Sequence, residues 1–200
     1  MRNLSTDAAV QALRDGRFVA HPTLGLWGLA ADPSRDDTMR RLSTLKNAGE
    51  RTGYIVITSR LEFLRGWFDA SDALRRLMEH SFSGPVTVIA RAARKAPTAV
   101  VSAAGTIAMR LERHPATFRL CELLRTPIVS TSLNLPGQPP VSDPNDMPAA
   151  LAAEIFGVLS TEVRPAGIAS TLVSAQGGQP QILRSGQVTI DEINRVWCGS

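Results

Sequence analysis

Hydrophobic and polar residues follow two periods along this chain, and the switches between them predict alternating strands and helices. Apolar runs predict strands at 18–20, 54–58, 85–90, 106–111, 127–130, 169–173 and 181–183. Apolar residues at helical spacing predict helices at 36–45, 61–67, 72–80, 116–124, 147–155 and 191–196, after a first helix between Ser5 and Gly16. Strands and helices are therefore interleaved, and no repeat is visible.

The interleaving indicates a single α/β (α+β) domain over residues 1–200. Region 137–146 is rich in Pro, Ser and Asp and is typical of a loop, but no linker is long enough to separate two units. The hydrophobic content of 44% suffices for a core of ordinary size. The simplest architecture is a twisted mixed sheet flanked by helices.

One predicted strand ends in an unusual group of hydroxyls. Its apolar half, Ile128 and Val129, is followed by Ser130, Thr131, Ser132 and Asn134 before Pro136 and Gly137 stop the element. Hydroxyl, amide and backbone N–H groups at a strand end can bind phosphate or carboxylate without carrying charge. A Ser/Thr-rich turn after a buried strand is the alternative interpretation, and composition alone does not separate the two.

Charge and cysteine content narrow the class of protein. The formal net charge of +4 and the pI of about 9.8 favour anionic partners such as nucleotides or RNA. Cys121 and Cys198 lie far apart, so neither a disulfide framework nor a metal cluster is expected. The charge-free stretch 165–183 contains three glycines and two prolines, which exclude a membrane span. We expect a cytoplasmic protein without a membrane partner.

Short motifs along the chain together resemble one known family. They occur in the order that the family shows, over nearly the whole chain, and each alone is weak. They are Pro22-Thr23 with Trp27-Gly28, Leu45-Lys46, the Ser-Gly-Pro-Val-Thr run at 83–87, Ala-Met-Arg-Leu at 108–111 with His114-Pro115, Ser-Thr-Ser-Leu-Asn at 130–134, Ala-Ser-Thr at 169–171 and Leu-Arg-Ser-Gly at 183–186. The chain resembles the YrdC/TsaC family, the threonylcarbamoyl-AMP synthases, in their single-domain type.

The resemblance implies a YrdC-like fold with a concave, positively charged cavity. It implies synthesis of threonylcarbamoyl-AMP and pyrophosphate from L-threonine, bicarbonate and ATP, for the threonylcarbamoyladenosine modification of tRNA. Magnesium would bridge the phosphates of ATP. The implied partners are the tRNA threonylcarbamoyl-transferase complex and, as a further expectation, double-stranded RNA or tRNA itself.

The resemblance also implies roles for individual residues. Lys46 and Arg110 are the predicted catalytic residues, and no metal ligand is predicted. The predicted contacts to threonine are Thr23, Arg110, Ser130 and Ser170. The predicted contacts to the nucleotide are Lys46, Thr106, Ser132, Asn134 and Arg184. A guanidinium can grip a carboxylate with two parallel hydrogen bonds, which suits Arg110 to the threonine carboxylate.

Several positions depart from the family pattern. Family members usually have tyrosine before the first proline and glutamate after the threonine, where this chain has His21 and Leu24. The usual Lys-x-Arg motif with a later lysine is reduced to Lys46, because Ala48 and Thr52 replace the two further cations. Two functions therefore stay open: a synthase, or a YrdC-like paralogue that binds nucleotide or RNA with weak or no synthase activity. His21 is interpreted as a structural histidine, or as a group that senses protonation or contacts a ligand.

Overall fold

The computed structural model describes residues 1–47 and 53–199 of the chain. The described strands are β1 (Asn3–Leu4), β2 (Phe18–Pro22), β3 (Trp27–Ala31), β4 (Ile55–Thr58), β5 (Val86–Arg91), β6 (Thr106–Leu111), β7 (Ile128–Ser132), β8 (Ile155–Leu159), β9 (Thr171–Ser174) and β10 (Gln181–Arg184). The described α-helices are α1 (Thr6–Arg14), α2 (Asp36–Leu45), α3 (Asp72–Glu79), α4 (Pro115–Leu124), α5 (Ala149–Glu154) and α6 (Ile190–Cys198). The helix predicted at 61–67 is only a short 3-10 helix, Leu61–Leu64.

The ten described strands form one sheet in the order β1-β8-β2-β3-β7-β4-β6-β5-β9-β10. The pairs β1/β8, β2/β8, β4/β6 and β5/β9 are parallel, and the other pairs are antiparallel. A twisted mixed sheet with helices packed against it was predicted and is confirmed. None of the described helices has the length and apolar content of a membrane span.

The two faces of the sheet pack against different helices. Side chains alternate between the faces along each strand. One face packs on α1 and α4, with Leu13 and Leu120 fully buried. The other face packs on α2, α3, α5 and α6, where Leu42 and Leu77 are buried. Helices therefore pack against both faces of the sheet.

Local sequence signals set the first two helices. The side chain of Ser5 accepts a hydrogen bond from the backbone N–H of Ala8 at 3.3 Å and caps α1. Gly16 follows that helix with a φ of 73°, a conformation that glycine adopts without a steric penalty. Helix α2 has the predicted bounds, 36–45, with Met39 and Leu42 buried.

Three strands, β1, β3 and β8, were not predicted. The sequence of β3, Trp-Gly-Leu-Ala-Ala, lacks β-branched residues, so its extended form depends on pairing with β2 and β7 on both sides. The predicted helix at 147–155 is shorter, because Ile155 begins β8. Strand β7 continues to Ser132, so Ser130, Thr131 and Ser132 belong to the strand and not to a turn after it.

Candidate functional site

A cavity of about 360 Å³ is lined by residues of β3, β4, β6, β7 and β10 and of the neighbouring turns. Its size is in the range of small-molecule sites. It brings together seven of the predicted site residues, which are Thr23, Lys46, Arg110, Ser130, Ser132, Ser170 and Arg184. The described lining contains three cations, Lys46, Arg110 and Arg184, and no carboxylate. Such a lining favours an anionic ligand.

Strand alternation explains why distant residues meet in this cavity. Ala30 and Ile128 lie in the core on the α1/α4 side, so Gly28 and Ser130, each two residues away, lie on the same face. Arg110 pairs in register with Ile57, which also belongs to that core. The cavity therefore occupies the face that α1 and α4 cover elsewhere.

Arg110 is held by a buried ion pair. Its Nη2 lies 2.7 Å from Oε2 of Glu112, and the two side chains are 9% and 0% exposed. Its Nε is also buried and has no hydrogen-bond partner among the described residues. A buried donor without a partner costs free energy. The arginine is therefore fixed in place and keeps hydrogen-bonding capacity for a ligand.

Glu112 accepts four hydrogen bonds. Its Oε1 accepts from the backbone N–H groups of Leu24 at 2.9 Å, His114 at 3.0 Å and Arg113 at 3.1 Å, and its Oε2 accepts from Arg110. Burial alone would raise the pKa of this carboxyl, but Arg110 and the backbone donors outweigh it and hold the pKa below its usual range. Glu112 was not among the predicted site residues; its position two residues after Arg110 was the available signal.

Lys46 directly follows α2, in front of Asn47, which has a left-handed φ of 43°. Its Nζ donates to the carbonyl of Ser132 at 2.8 Å and to the carbonyl and Oδ1 of Asn134 at 2.6 and 3.1 Å. The three N–H groups of the ammonium are therefore engaged within the protein. Burial lowers the pKa of Lys46 to about 8.

Ser132 and Asn134 form one unit below the lysine. The hydroxyl of Ser132 donates to Oδ1 of Asn134 at 2.6 Å, and Nδ2 of Asn134 donates to the carbonyl of Gln138. Ser132 lines the cavity, whereas Asn134 lies outside the described lining and contacts it through Lys46. The predicted nucleotide contact of Asn134 stays a prediction.

The C-terminal part of the site is a cluster of hydroxyls under Arg184. Ser170 is buried, and its Oγ lies 2.8 Å from the hydroxyl of Thr87. Arg184 donates from Nη2 to the carbonyl and to Oγ of Ser170, both at 3.0 Å. The sequence analysis quoted the motif that contains Thr87 without assigning this residue a role. The cluster fixes the guanidinium of Arg184 at the cavity.

Thr23 lies in the turn between β2 and β3. Its hydroxyl donates to the carbonyl of Leu26 at 2.8 Å and accepts from the backbone N–H groups of Gly25 and Leu26. These bonds stabilise the turn. Thr23 lines the cavity, but its hydroxyl is already satisfied. Its predicted contact to threonine stays a prediction.

Thr106 lies away from the other predicted residues. It begins β6, and its hydroxyl is 2.7 Å from that of Ser102. The described lining of the cavity does not include it. Four residues separate it from Arg110 on the same strand, about 13 Å at the usual rise, so a long ligand is needed to reach both. Its role in nucleotide binding stays a prediction.

His21 is fully buried behind the cavity. Its Nε2 lies 3.0 Å from Oγ of Ser130, and its Nδ1 lies 3.1 Å from Oγ1 of Thr117. Burial lowers the pKa of His21 to about 4, with Arg110 and His114 adding to the effect and Glu112 opposing it. The imidazole is therefore neutral near pH 7, and it contacts a residue that lines the site.

Two positions of the predicted phosphate-binding region lie outside the described residues. They are Ala48 and Thr52, where the family usually has cations; Arg51 lies there too.

Curated relatives cover nearly the whole chain. A protein of Xanthomonas oryzae pv. oryzae named "Threonylcarbamoyl-AMP synthase" is 36% identical over 179 residues, which are 88% of this chain and 96% of that protein. One of the same name from Xanthomonas axonopodis pv. citri is 37% identical over 192 residues, 94% of this chain and 98% of that protein.

Solved structures show the same fold. The crystal structure of P. abyssi Sua5 complexed with L-threonine matches with a TM-score of 0.85 and 22% identity, over 97% of this chain. This chain spans 59% of that Sua5 chain. A profile of the Sua5/YciO/YrdC family, described as "Telomere recombination", matches residues 11–186. Profile, relatives and fold agree, and the chain belongs to the Sua5/YciO/YrdC family.

Proposed function

We propose that this chain is a threonylcarbamoyl-AMP synthase. It would act as a nucleotidyltransferase that joins L-threonine, bicarbonate and ATP into threonylcarbamoyl-AMP and pyrophosphate. The observation that carries the proposal is the lining of the cavity, where Lys46, Arg110 and Arg184 face the ligand space without a carboxylate among the described residues. The names of the curated relatives support the same activity.

The chemistry requires a site that gathers anions. The amine of threonine and bicarbonate first combine into a carbamate with loss of water, and an oxygen of the carbamate then attacks the α-phosphate of ATP while pyrophosphate leaves. Carboxylate, carbamate and phosphates repel one another, so cations and hydrogen-bond donors must hold them in line. A unit charge about 4 Å from a phosphate contributes roughly 4 kcal/mol of attraction at an effective dielectric near 20. No covalent intermediate with the protein is needed.

Arg110 is the proposed partner of the threonine carboxylate. Glu112 holds Nη2, and Arg110 lines the cavity. A guanidinium can bind a carboxylate through two parallel hydrogen bonds, so a carboxylate in the cavity would find a positioned partner. Ser130 and Ser170 line the same cavity and are the proposed further contacts to the amino acid.

Lys46, Ser132 and Arg184 are the proposed contacts to the nucleotide. Lys46 would exchange one of its three bonds to the Ser132–Asn134 segment for a phosphate oxygen. The negative charge of a phosphate next to the ammonium would raise the lowered pKa of Lys46, so nucleotide binding favours the charged form of the lysine. Arg184 would keep its hydrogen bonds to the carbonyl and Oγ of Ser170.

Mg²⁺ is proposed to accompany ATP and not to occupy a protein cage. Among the described residues no group of three His, Cys, Asp or Glu side chains is arranged to hold a metal ion. The oxygens of Glu112 are engaged by four donors. The residues present therefore fit Mg²⁺ only as a complex with the phosphates, whose charge it would neutralise.

Downstream partners belong to the same proposal. Threonylcarbamoyl-AMP is a reactive mixed anhydride, so an acceptor must receive it soon after release. We expect transfer to tRNA by the threonylcarbamoyl-transferase complex, in the cytoplasm. Binding of tRNA or double-stranded RNA by this chain itself is a further expectation, and a gel shift insensitive to salt would count against phosphate-driven binding.

The proposal is tested with the pure protein, MgATP, L-threonine and labelled bicarbonate. We expect pyrophosphate and a labelled threonylcarbamoyl-AMP peak from the natural chain. Arg110→Ala should lower the rate about 10- to 100-fold, since it removes a charged hydrogen bond of about 1.5–3 kcal/mol and with it the proposed carboxylate clamp.

Arg113→Ala is the matched control. Arg113 is exposed on the neighbouring segment, where it donates to the carbonyl of Glu79, and its loss should leave the rate unchanged. A natural chain that binds ATP and threonine but forms no product above the Arg110→Ala level would instead support the paralogue that binds without turnover.

A further inference from the structure

Three hydrogen-bonded side chains, Ser130, His21 and Thr117, connect the cavity to the interior. The ring of His21 on β2 crosses over β3 to reach Ser130 on β7. Gly28 is the β3 residue that pairs with His21, and a Cβ at this position would lie 2.6 Å from Nε2 and 2.8 Å from the Ser130 Oγ. Real Cβ atoms do not approach so closely. Gly28 therefore provides the space for the contact.

The hydrogen-bond pattern fixes which ring nitrogen carries the proton. The hydroxyl of Thr117 donates its single proton to the carbonyl of Pro22, because a carbonyl can only accept. For the contact of 3.1 Å between Thr117 and Nδ1 of His21, the donor is then the ring nitrogen. A neutral imidazole has one N–H, so Nε2 carries a lone pair.

The lone pair on Nε2 determines the direction of the next hydrogen bond. Ser130 must donate its hydroxyl proton to Nε2 across the 3.0 Å contact. The Ser130 oxygen keeps only lone pairs for its remaining side, and this residue lines the cavity. Full burial keeps the ring uncharged in this environment, where Glu112, Arg110 and His114 are its titratable or charged neighbours. The hydrogen bonds from Ser130 to His21 and from His21 to Thr117 therefore keep the same direction across the neutral pH range.

We propose that His21 is a positioning residue that fixes the hydroxyl of Ser130 as a hydrogen-bond acceptor for an N–H or O–H donor of the amino-acid substrate. The cavity then has two complementary parts: the Arg110 guanidinium for a carboxylate, and the Ser130 oxygen for a donor. Threonine carries two such donors, its ammonium and its hydroxyl. The assignment of the ligand as threonine rests on the proposed function. The direction of the hydrogen bond from Ser130 to His21 does not.

The direction of the hydrogen bond between Ser130 and His21 is tested first, in the ligand-free protein. Long-range ¹H–¹⁵N spectra distinguish the two neutral tautomers of histidine from imidazolium, and the signals of His21 are assigned by their loss in His21→Asn. We expect the Nδ1–H tautomer at pH 7. The Nε2–H tautomer, or an imidazolium at this pH, would overturn the proposal, because Ser130 would then donate toward the cavity.

The substrate contact is tested by calorimetric titration with L-threonine. Ser130→Ala removes the acceptor, and His21→Asn keeps a partner for Thr117 but no longer reaches Ser130. Both should weaken binding about 10- to 100-fold, as expected for one hydrogen bond to a charged group. His21→Gln can place its amide oxygen near the position of Nε2 and should restore most of the affinity. His80→Asn, at an exposed histidine, is the control and should bind as the natural chain does.

The outcomes separate the two proposals. Unchanged affinity in Ser130→Ala, or equal losses in His21→Gln and His21→Asn, would overturn the positioning role. L-2-aminobutyrate, which lacks the hydroxyl, identifies the donor: Ser130→Ala weakens both ligands if the donor is the ammonium and only threonine if it is the hydroxyl. If His21→Asn fails to fold, the signals of His21 are assigned by their loss in His21→Gln, and Ser130→Ala and the spectra carry the test. A natural chain that does not bind threonine would overturn the proposed function and leave the tautomer result standing.

Discussion

Glu112→Gln is the substitution that separates the role of the buried ion pair from the role of the surrounding backbone. Glutamine has nearly the same shape, and its amide oxygen can still accept from the N–H groups of Leu24, His114 and Arg113. Its NH₂ group, however, would face the Nη2 of Arg110, a second donor. The change therefore removes the partner of Arg110 and little else.

The magnitude follows from the burial of the pair. Arg110 and Glu112 have side chains that are 9% and 0% exposed, so solvent cannot replace the lost carboxylate. Removing one partner of a buried pair usually costs about 3–5 kcal/mol, because a desolvated charge is left unpaired. We expect Glu112→Gln to lower the free energy of unfolding by about this amount. The released guanidinium should also raise the KM for threonine.

Urea denaturation at pH 7 measures the first effect, and initial rates at varied threonine measure the second. The pair between Arg60 and Glu122 provides the matched control, since it has the same N–O distance of 2.7 Å but an arginine that is 55% exposed. Glu122→Gln should therefore cost far less than Glu112→Gln. Arg110→Met combined with Glu112→Gln should cost less than Glu112→Gln alone, because no unpaired charge is left and the amide oxygen still accepts from the three backbone donors.

Equal losses of stability in Glu112→Gln and Glu122→Gln would refute this reasoning. That result would mean that burial does not determine the strength of the pair. A Glu112→Gln protein with native stability but a raised KM would limit the role of Glu112 to orienting Arg110.

Three further predictions concern the same site. Gly28→Ala should lower the free energy of unfolding by about 1–3 kcal/mol through overpacking against His21, whereas Gly177→Ala, with nothing within 4 Å of the added Cβ, should have little effect; equal effects would contradict the close approach. Burial holds the pKa of His21 at about 4, below its ordinary 6.5. The free energy of unfolding should therefore be highest above pH 6.5 and fall by up to about 3 kcal/mol as the pH drops toward 4. An equally steep fall in His21→Gln would exclude His21 as the cause. Since the pKa of Lys46 is about 8 in the free protein, the KM for ATP should rise above about pH 8, and Lys46→Arg should shift this rise to higher pH; an unshifted profile would exclude Lys46.

Elements with strong local signals were predicted from the sequence. Helix α2 has an apolar stripe through Met39 and Leu42, and its predicted bounds agree with the structure. Strand β6 was predicted with its bounds as well. Strand β3 was missed because Gly28, Ala30 and Ala31 have low strand propensity, and only its neighbours β2 and β7 make it extended.

The site was predicted as a set of residues but not as a network. Seven predicted residues line one cavity, yet Glu112 and Thr87, which contact two of them, and Thr117, which contacts His21, had not been identified. These partners lie far from the cavity residues in sequence or, like Glu112, at an unremarkable position of a charged segment. Hydrogen-bond direction also depends on three-dimensional contacts. For this reason the sequence left the role of His21 open, whereas the structure assigns it a partner on each ring nitrogen.

The strand order also has a consequence for how the chain folds during synthesis. Strand β7 lies between β3 and β4, although β5 and β6 precede it in the chain. Until residues 128–132 leave the ribosome, β3 and β4 each have an unpaired edge. Unpaired edges can pair with other chains and cause aggregation. The hydroxyl-bearing strand therefore closes the centre of the sheet late, and the ligand cavity does not exist before that step.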